Sequence, residues 1–404
     1  MFVIFCRIFQ FIFNFVVKFL PWRKAALVEG AGCIGKIPEL LHKHKLKMPM
    51  LVTDEGLVKA GIAQRIIDVL AKAHFPYLVF TGVEPNPSVN TVNKIQELYI
   101  EQKCDCFIAL GGGSAMDAAK GAAACVVRPK KSVEQLSGLL KVLKKLPPFI
   151  AVPTTAGTGS ETTIAALITD TETHHKHAIM DICLIPRYAI LDPELTMGLP
   201  PSITAITGID ALTHAIEAYL CWTYGTRESI RFALDAVKII FANLEKVYND
   251  GNNIEARQAM QIASYKAGFA FTRAGVGNIH AIAHALGGLY KTPHGLAVAV
   301  VLPKVLEDYG KKVHKKLAIL AETAGLVAKT EKKTNAEKAR MFIDTIYSMN
   351  ERMGIPKGLD CIKDDDIPKM IEWAGKESNP LYPVPVIYNK ERFGKMIKKI
   401  RIGN

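Results

Sequence analysis

The sequence contains no C-x-x-C pair. Its eight cysteines are scattered, and the one close pair, Cys104-Asp105-Cys106, lies in an apolar, strand-like run. That pattern excludes a zinc ribbon and a dithiol redox motif. It implies buried free thiols in a reducing compartment, the cytoplasm. There is no internal repeat and no low-complexity tract. Long uncharged apolar runs are also missing. The richest one, Met1 to Leu20, carries Arg7 and Lys18 within it, which argues against a membrane span. With no small-residue cleavage site after it, a signal peptide is a poor fit as well.

The chain does hold an excess of positive charge, +13 over 404 residues. The basic residues fall in short runs, such as Lys141 to Lys145 and Lys311 to Lys316, without interleaved aromatics. They read as solvated helix faces rather than a nucleic-acid surface. A basic surface also favours anionic cofactors by steering. With 49% hydrophobic and 22% charged residues, the composition is that of a globular protein with room for two cores.

In the N-terminal segment, Arg7, Gln10, Asn14 and Lys18 are spaced three, four and four apart. On a helix they form one polar stripe beside a wide apolar face. The expectation is that this face, including Phe2, Phe5, Phe9, Ile12, Phe13 and Val16, is covered by the body of the protein or by a second subunit. Contact of residues 2–20 with a membrane surface is the less favoured alternative.

From about Lys24 to Leu195, short apolar runs alternate with helical patterns. Strands are expected at 49–54, 77–80, 106–110 and 149–153. Apolar strands separated by helices imply a parallel sheet covered on both faces. Beyond Pro200-Pro201, helical periodicity dominates. The expected organisation is an N-terminal helical extension (1–22), an α/β dinucleotide-binding domain (23–199) and an all-α metal-binding domain (200–404).

The helical part holds five candidate ligands. Asp210 and His214 are four apart, His280 and His284 repeat that spacing, and His294 follows a Gly-Gly break. Residues four apart on a helix share a face. These sit among Ile209, Leu212, Ile216, Ile279, Ile282 and Leu286, where an unpaired carboxylate is costly to bury. A shared divalent cation, Fe²⁺ or Zn²⁺, would satisfy them together.

In the α/β part, Gly111-Gly112-Gly113-Ser114 follows the third expected strand. Ser114-x-x-Asp117 is expected to cap the next helix as a capping box, with Lys120 one turn on. Glycine-freed amides at a helix N-terminus suit a pyrophosphate. The fourth strand runs into Pro153-Thr154-Thr155-Ala156-Gly157-Thr158-Gly159-Ser160-Glu161, a second polar loop at a strand's carboxyl end. Two such loops are best explained by one long phosphate-containing ligand.

Taken together, Gly111-Gly112-Gly113-Ser114-x-x-Asp117-x-x-Lys120, the 153–161 loop, Gly208-x-Asp210-Ala211-x-x-His214-x-x-Glu217, His280-x-x-x-His284-x-x-Gly287 and Pro293-His294-Gly295 resemble the iron-containing, group III alcohol dehydrogenases. The resemblance runs from about Lys24 to the C-terminus. It implies a dehydroquinate synthase-like architecture, an active site in the cleft between two domains, and NAD(H)-linked interconversion of a small primary alcohol or diol with its aldehyde or ketone. It implies Asp210, His214, His280 and His294 as metal ligands, with iron expected and zinc the alternative, and His284 as a non-ligand catalytic histidine near the nicotinamide. It places Asp54 at the adenosine ribose, favouring NAD over NADP. Gly111, Gly112, Gly113, Ser114, Asp117, Thr154, Thr155, Thr158 and Lys176 are the other implied cofactor contacts. A glycerol or other polyol dehydrogenase is the near alternative, and a scaffold or membrane-docked protein with a vestigial site the remote one. A homo-oligomer, dimer or larger, is expected, with an alcohol or aldehyde as the small-molecule partner and no nucleic acid.

Overall fold

The computed structural model describes residues 1–171 and 176–402. They form two compact units: Pro21–Gly198, and Leu199 onward together with Met1–Leu20.

The first unit holds nine strands among the described residues. They are β1 (Ala26–Glu29), β2 (Pro49–Val52), β3 (Leu78–Phe80), β4 (Cys106–Gly111), β5 (Gly138–Leu139), β6 (Phe149–Pro153), β7 (Ala165–Thr169), β8 (Lys176–Met180) and β9 (Tyr188–Leu191). Six make a sheet in the order β1-β9-β6-β4-β2-β3, with every pairing parallel. The alternation of side chains explains why its strands read as continuous apolar runs. In β4, Phe107 and Ala109 enter one core layer, while Cys106, Ile108 and Leu110 enter the layer on the opposite face. β2 and β6 divide in the same way. The four expected strands are present. β1, β9 and the small sheet β5-β8-β7 are additions the sequence pattern did not reveal. β1 is a four-residue edge strand with mostly exposed side chains, so it carries no apolar signature.

The second unit is helical. Helices Pro201–Leu220, Arg227–Asn249 and Ile254–Ala274 pack against one another, and Asn278–Tyr290, His294–Tyr309 and Ile367–Ser378 complete the part that carries the site. Close approach is enforced at Gly208, where a Cβ would stand 2.2 Å from Leu244 Cδ1.

The N-terminal helix, Phe2–Val17, docks on this helical unit with the opposite face to the one expected. Gln10 is fully buried and Asn14 nearly so, whereas Phe11, Phe15 and Phe19 are 66%, 61% and 73% exposed. The reason lies in the surface it meets. Pro380, Pro383 and Pro385 interrupt the segment below, and its carbonyls have no sheet or helix to enter. The Gln10 amide donates to the carbonyls of Pro380 and Tyr382 at 2.9 and 2.7 Å. Arg7 donates to those of Val384 and Pro385 at 2.8 and 3.0 Å. Asn14 reaches the Thr223 hydroxyl, and the Trp222 indole donates to Gln10. The polar side chains thus meet carbonyls that an apolar face would leave without donors.

Candidate metal centre and nucleotide loops

Asp210 and His214 leave helix Pro201–Leu220 one turn apart, in a stretch buried without interruption from Gly208 to Leu220. Three imidazole nitrogens surround one oxygen, Asp210 Oδ1. His280 Nε2 and His294 Nε2 are each 3.5 Å away, and His214 Nε2 is 3.9 Å away. His280 comes from helix Asn278–Tyr290, and His294 is the first residue of helix His294–Tyr309. The position of His294 depends on Gly295. A Cβ there would stand 2.5 Å from the carbonyl oxygen of Ile206, on the helix that carries Asp210.

This donor set fits a divalent cation. Asp210 Oδ1 and His280 Nε2 are buried and make no hydrogen bond within the protein. Ligand atoms about 2.1 Å from a tetrahedral metal stand roughly 3.4 Å apart. The 3.5 Å from Asp210 to His280 and to His294 is close to that spacing. These three donors all lie within 4.8 Å of one another, with His214 standing outside that group. Burial pushes the Asp210 carboxyl up, but the neighbouring imidazoles of His214, His294 and His280 outweigh it and hold the group well below the usual carboxylate range. One carboxylate with several imidazoles suits iron or zinc.

Glu217 fixes one of these rings. Its Oε2 accepts from His280 Nδ1 at 2.5 Å and from the Gly277 amide at 2.8 Å, and its Oε1 accepts from the Ile279 amide at 2.9 Å. The carboxylate thus caps the start of helix Asn278–Tyr290, where negative charge is favourable. It also holds the proton on Nδ1 and leaves Nε2 facing Asp210 with its lone pair. His214 is held by stacking, 4.1 Å from Phe271 and 4.5 Å from His280 between ring centroids.

His284 stands beside the cluster, its ring 5.2 Å from that of His294. Its Nδ1 donates to Glu377 Oε1 at 2.6 Å, and the Tyr382 hydroxyl donates to the same oxygen at 2.6 Å. Burial raises the Glu377 carboxyl, but His284 and Tyr382 outweigh it and lower its pKa. The His284 side chain is 30% exposed, so this pair has access to solvent.

In the α/β unit, the ends of β4 and β6 lie side by side, with Gly111 paired to Pro153. The glycine and threonine loops are packed together. A Cβ on Gly112 would meet Thr155 at 3.5 Å, and one on Gly113 would meet Thr158 at 3.2 Å. Gly111 has φ +149°, and a side chain there would collide with Ala115. Helix Gly113–Val127 opens on these glycines. Asp54 lies just past the end of β2 and caps the next short helix through the Leu57 amide at 3.0 Å. Its other oxygen faces Gly111, 3.7 Å from where a Cβ would be. Lys176 Nζ donates to Asn86 Oδ1 at 2.9 Å, and the Asn86 amide lies 3.4 Å from Ser114 Oγ. The neighbouring His174 and His175 fall outside the described residues.

Residues 25–193 match the iron-containing alcohol dehydrogenase family model, and residues 204–400 match the C-terminal model of the Fe-containing alcohol dehydrogenase family. The chain belongs to the iron-containing alcohol dehydrogenase family. It is 37% identical to a 1,3-propanediol dehydrogenase of Citrobacter freundii, over 87% of this chain and 90% of that protein. It is 34% identical to an NAD-dependent methanol dehydrogenase of Bacillus methanolicus, over 88% and 94%. The crystal structure of a 1,3-propanediol oxidoreductase superposes with a TM-score of 0.89 at 34% identity, covering 94% of this chain and 99% of that one. The protein is an alcohol oxidoreductase.

Within this iron-containing alcohol dehydrogenase, one expectation about the glycine loop needs correction. Ser114-x-x-Asp117 is not a capping box. The N-cap is Gly112, with no side-chain cap. Asp117 lies inside the helix and accepts from Ser160 Oγ at 3.0 Å and the Leu167 amide at 3.1 Å. A backbone free to turn at Gly111-Gly112 starts the helix earlier than the serine would. Lys120, one turn past Asp117 on that helix, has a structural role. It is fully buried, and its Nζ donates to the carbonyls and hydroxyls of Ser160 and Thr163 and to the Ala165 carbonyl. It fastens the glycine-loop helix to the segment after the threonine loop.

Glu377, Tyr382 and Asn86 are site residues that sequence reasoning missed. Glu377 is 93 residues from His284 and Asn86 is 90 from Lys176, so no local spacing links them to the site, and Tyr382 enters only through Glu377. Glu217 was in the motif but without a role, although its position two turns from Asp210 on the same face was a usable signal. A Gly30-x-Gly32-x-x-Gly35 spacing follows β1, yet the Ile34 amide there is bound by the Asp192 carboxylate at 3.2 Å, so that turn already holds its anion.

Proposed function

We propose that this alcohol dehydrogenase interconverts a small primary alcohol or diol with its aldehyde or ketone, using NAD(H) and Fe²⁺, in the cytoplasm. The observation that carries this reading is the single buried oxygen, Asp210 Oδ1, ringed by His214, His280 and His294 beside the solvent-accessible His284–Glu377 pair. Diol and methanol oxidation by relatives supports the substrate class. Eight free cysteines support a reducing compartment. Among the described residues no helix is long and apolar enough to cross a membrane.

A divalent metal held by Asp210, His214, His280 and His294 supplies Lewis acidity towards the substrate oxygen, and the nicotinamide supplies the hydride acceptor. The protein's own groups do the rest. Amides of Gly112, Gly113 and Ser114 at the helix start, with hydroxyls of Thr154, Thr155 and Thr158, bind the cofactor's phosphates. Asp54 accepts from the ribose hydroxyls and repels a 2′-phosphate. Lys176 and Asn86 flank the same loop. Glu217 keeps His280 in the ligating tautomer. His284 takes the alcohol proton at Nε2 while Glu377 holds the resulting charge at Nδ1, and passes it to solvent through its exposed edge.

The test is NADH oxidation by a panel of short aldehydes, hydroxyaldehydes and ketones, after loading the purified protein with Fe²⁺ or Zn²⁺ under anaerobic conditions. Turnover that requires metal and is lost in Asp210→Ala supports the reading. Metal-independent turnover overturns it.

A further inference from the structure

We propose that the N-terminal helix is a membrane-surface anchor that lays its outer face into an anionic lipid bilayer. In a water-soluble protein an amphipathic helix docks with its apolar face inward. Here the docking is reversed and specific. Gln10 uses both ends of its amide, donating to Pro380 and Tyr382 carbonyls and accepting from the Trp222 indole. Arg7 donates to two more carbonyls and stacks over Trp222 at 4.8 Å. Cys6 is wholly buried against Val384 and Ile387. Arg7, Gln10 and Asn14 of the polar stripe are therefore consumed by the protein, and the apolar side is left outside.

That outer side is large. Phe2, Ile4, Phe5, Phe11, Phe15 and Phe19 are between 49% and 73% exposed, and further Ile, Val and Phe side chains lie between them. Aromatic side chains offer roughly 150–250 Å² each, so the patch is on the order of 1,000 Å², above the largest patches on ordinary monomers.

The geometry selects the occupant. At 100° per residue the exposed side chains span roughly half the circumference of the helix. A second copy of this chain contributing one packed helix covers a stripe of about 100°, leaving apolar edges wet. A cylinder lying half-immersed at the boundary between headgroups and acyl chains is covered over that whole arc. The helix cannot instead cross the bilayer. Its 16 residues are about 24 Å long, short of a hydrocarbon core of about 30 Å, and its polar stripe ties it to the helical unit. The edges also suit a lipid boundary. Trp222, 42% exposed, borders the helix, and Lys18 is exposed at the margin of the apolar arc. The chain carries a net charge of +13, which complements anionic headgroups.

The experiment is flotation of the full-length protein with vesicles of phosphatidylcholine containing a minority of phosphatidylglycerol, and with phosphatidylcholine alone. The comparison is a Phe11→Ser, Phe15→Ser, Phe19→Ser variant, whose altered side chains touch none of the site. The expected result is flotation of the unmodified protein, weaker without the anionic lipid. Partitioning of the variant should fall by about tenfold or more, with its turnover in solution unchanged. Failure of the unmodified protein to float overturns the proposal. So does equal flotation of the variant. A dimer that fails to float and dissociates in the variant would assign the face to a second copy and overturn it too.

Discussion

Glu217 Oε2 and His280 Nδ1 meet at 2.5 Å, and the same carboxylate closes the N-terminus of the helix on which His280 sits. One side chain thus sets the tautomer, the ring orientation and the entry of the helix. His284, one turn later on that helix, is tied to Glu377 instead. Two histidines with the same local spacing are thereby given different work.

His280→Ala should lose the metal, and His284→Ala should keep it while turnover falls by about 10²–10⁴. Metal analysis of both purified variants decides between them. Glu217→Gln should weaken metal affinity by about 10–100-fold. A metal-free His284→Ala would show the ligand assignment to be wrong.

Gly295→Ala should behave like a ligand mutant although it alters no ligand. The added carbon would stand 2.5 Å from the Ile206 oxygen and 2.8 Å from its carbonyl carbon, both backbone atoms that cannot swing away. The helix start must shift, and His294 moves with it. Lower metal occupancy, together with about 2 kcal/mol or more lost in denaturant unfolding, is the expected outcome. Full occupancy would show that the helix start can adjust.

Lys120, Asp117 and Glu161 make stability depend on pH. Burial raises Glu161 to about 7 and Asp117 to about 6, with Lys120 pulling the other way in both cases. Burial also lowers Lys120 to about 8, opposed by the two carboxylates. Between the ordinary carboxylate range and pH 7, the folded state binds more protons at Glu161 and Asp117 than the unfolded chain does. Stability from these two groups is therefore present at low pH and lost as pH rises towards 7. Between pH 8 and the ordinary lysine range, the unfolded chain binds more protons at Lys120, so stability rises with pH. Glu161→Gln should flatten the acid-side dependence in unfolding titrations from pH 5 to 7. Lys120→Met should destabilise by about 3–5 kcal/mol, because it strands buried oxygens and carboxylates.

Asp54→Asn keeps an oxygen to cap the Leu57 amide but removes the charge facing Gly111. The kcat/KM ratio for NAD over NADP should fall, since repulsion of a 2′-phosphate at close range contributes about a few kcal/mol. Equal kcat/KM for the two cofactors in the unmodified enzyme would contradict the role given to Asp54.

The sequence by itself determined the parallel sheet, because β2, β4 and β6 are buried on both faces and so must be apolar at every position. It determined the helical unit, and it grouped Asp210, His214, His280, His284 and His294 through helical spacing and an apolar setting. It also put the two polar loops at strand ends. Tertiary structure decided what spacing cannot encode. Whether a histidine faces Asp210 or Glu377 depends on carboxylates contributed from other helices. What Lys120 clasps depends on which loop folds over it. The N-terminal helix makes the same point most plainly. Its amphipathic pattern fixes two faces, but the one that turns inward is the one whose donors meet the carbonyls of Pro380, Tyr382, Val384 and Pro385, hundreds of residues away. Gln10 and Arg7 supply donors that a phenylalanine face could not, and each buried carbonyl left without a donor would cost about 1–3 kcal/mol.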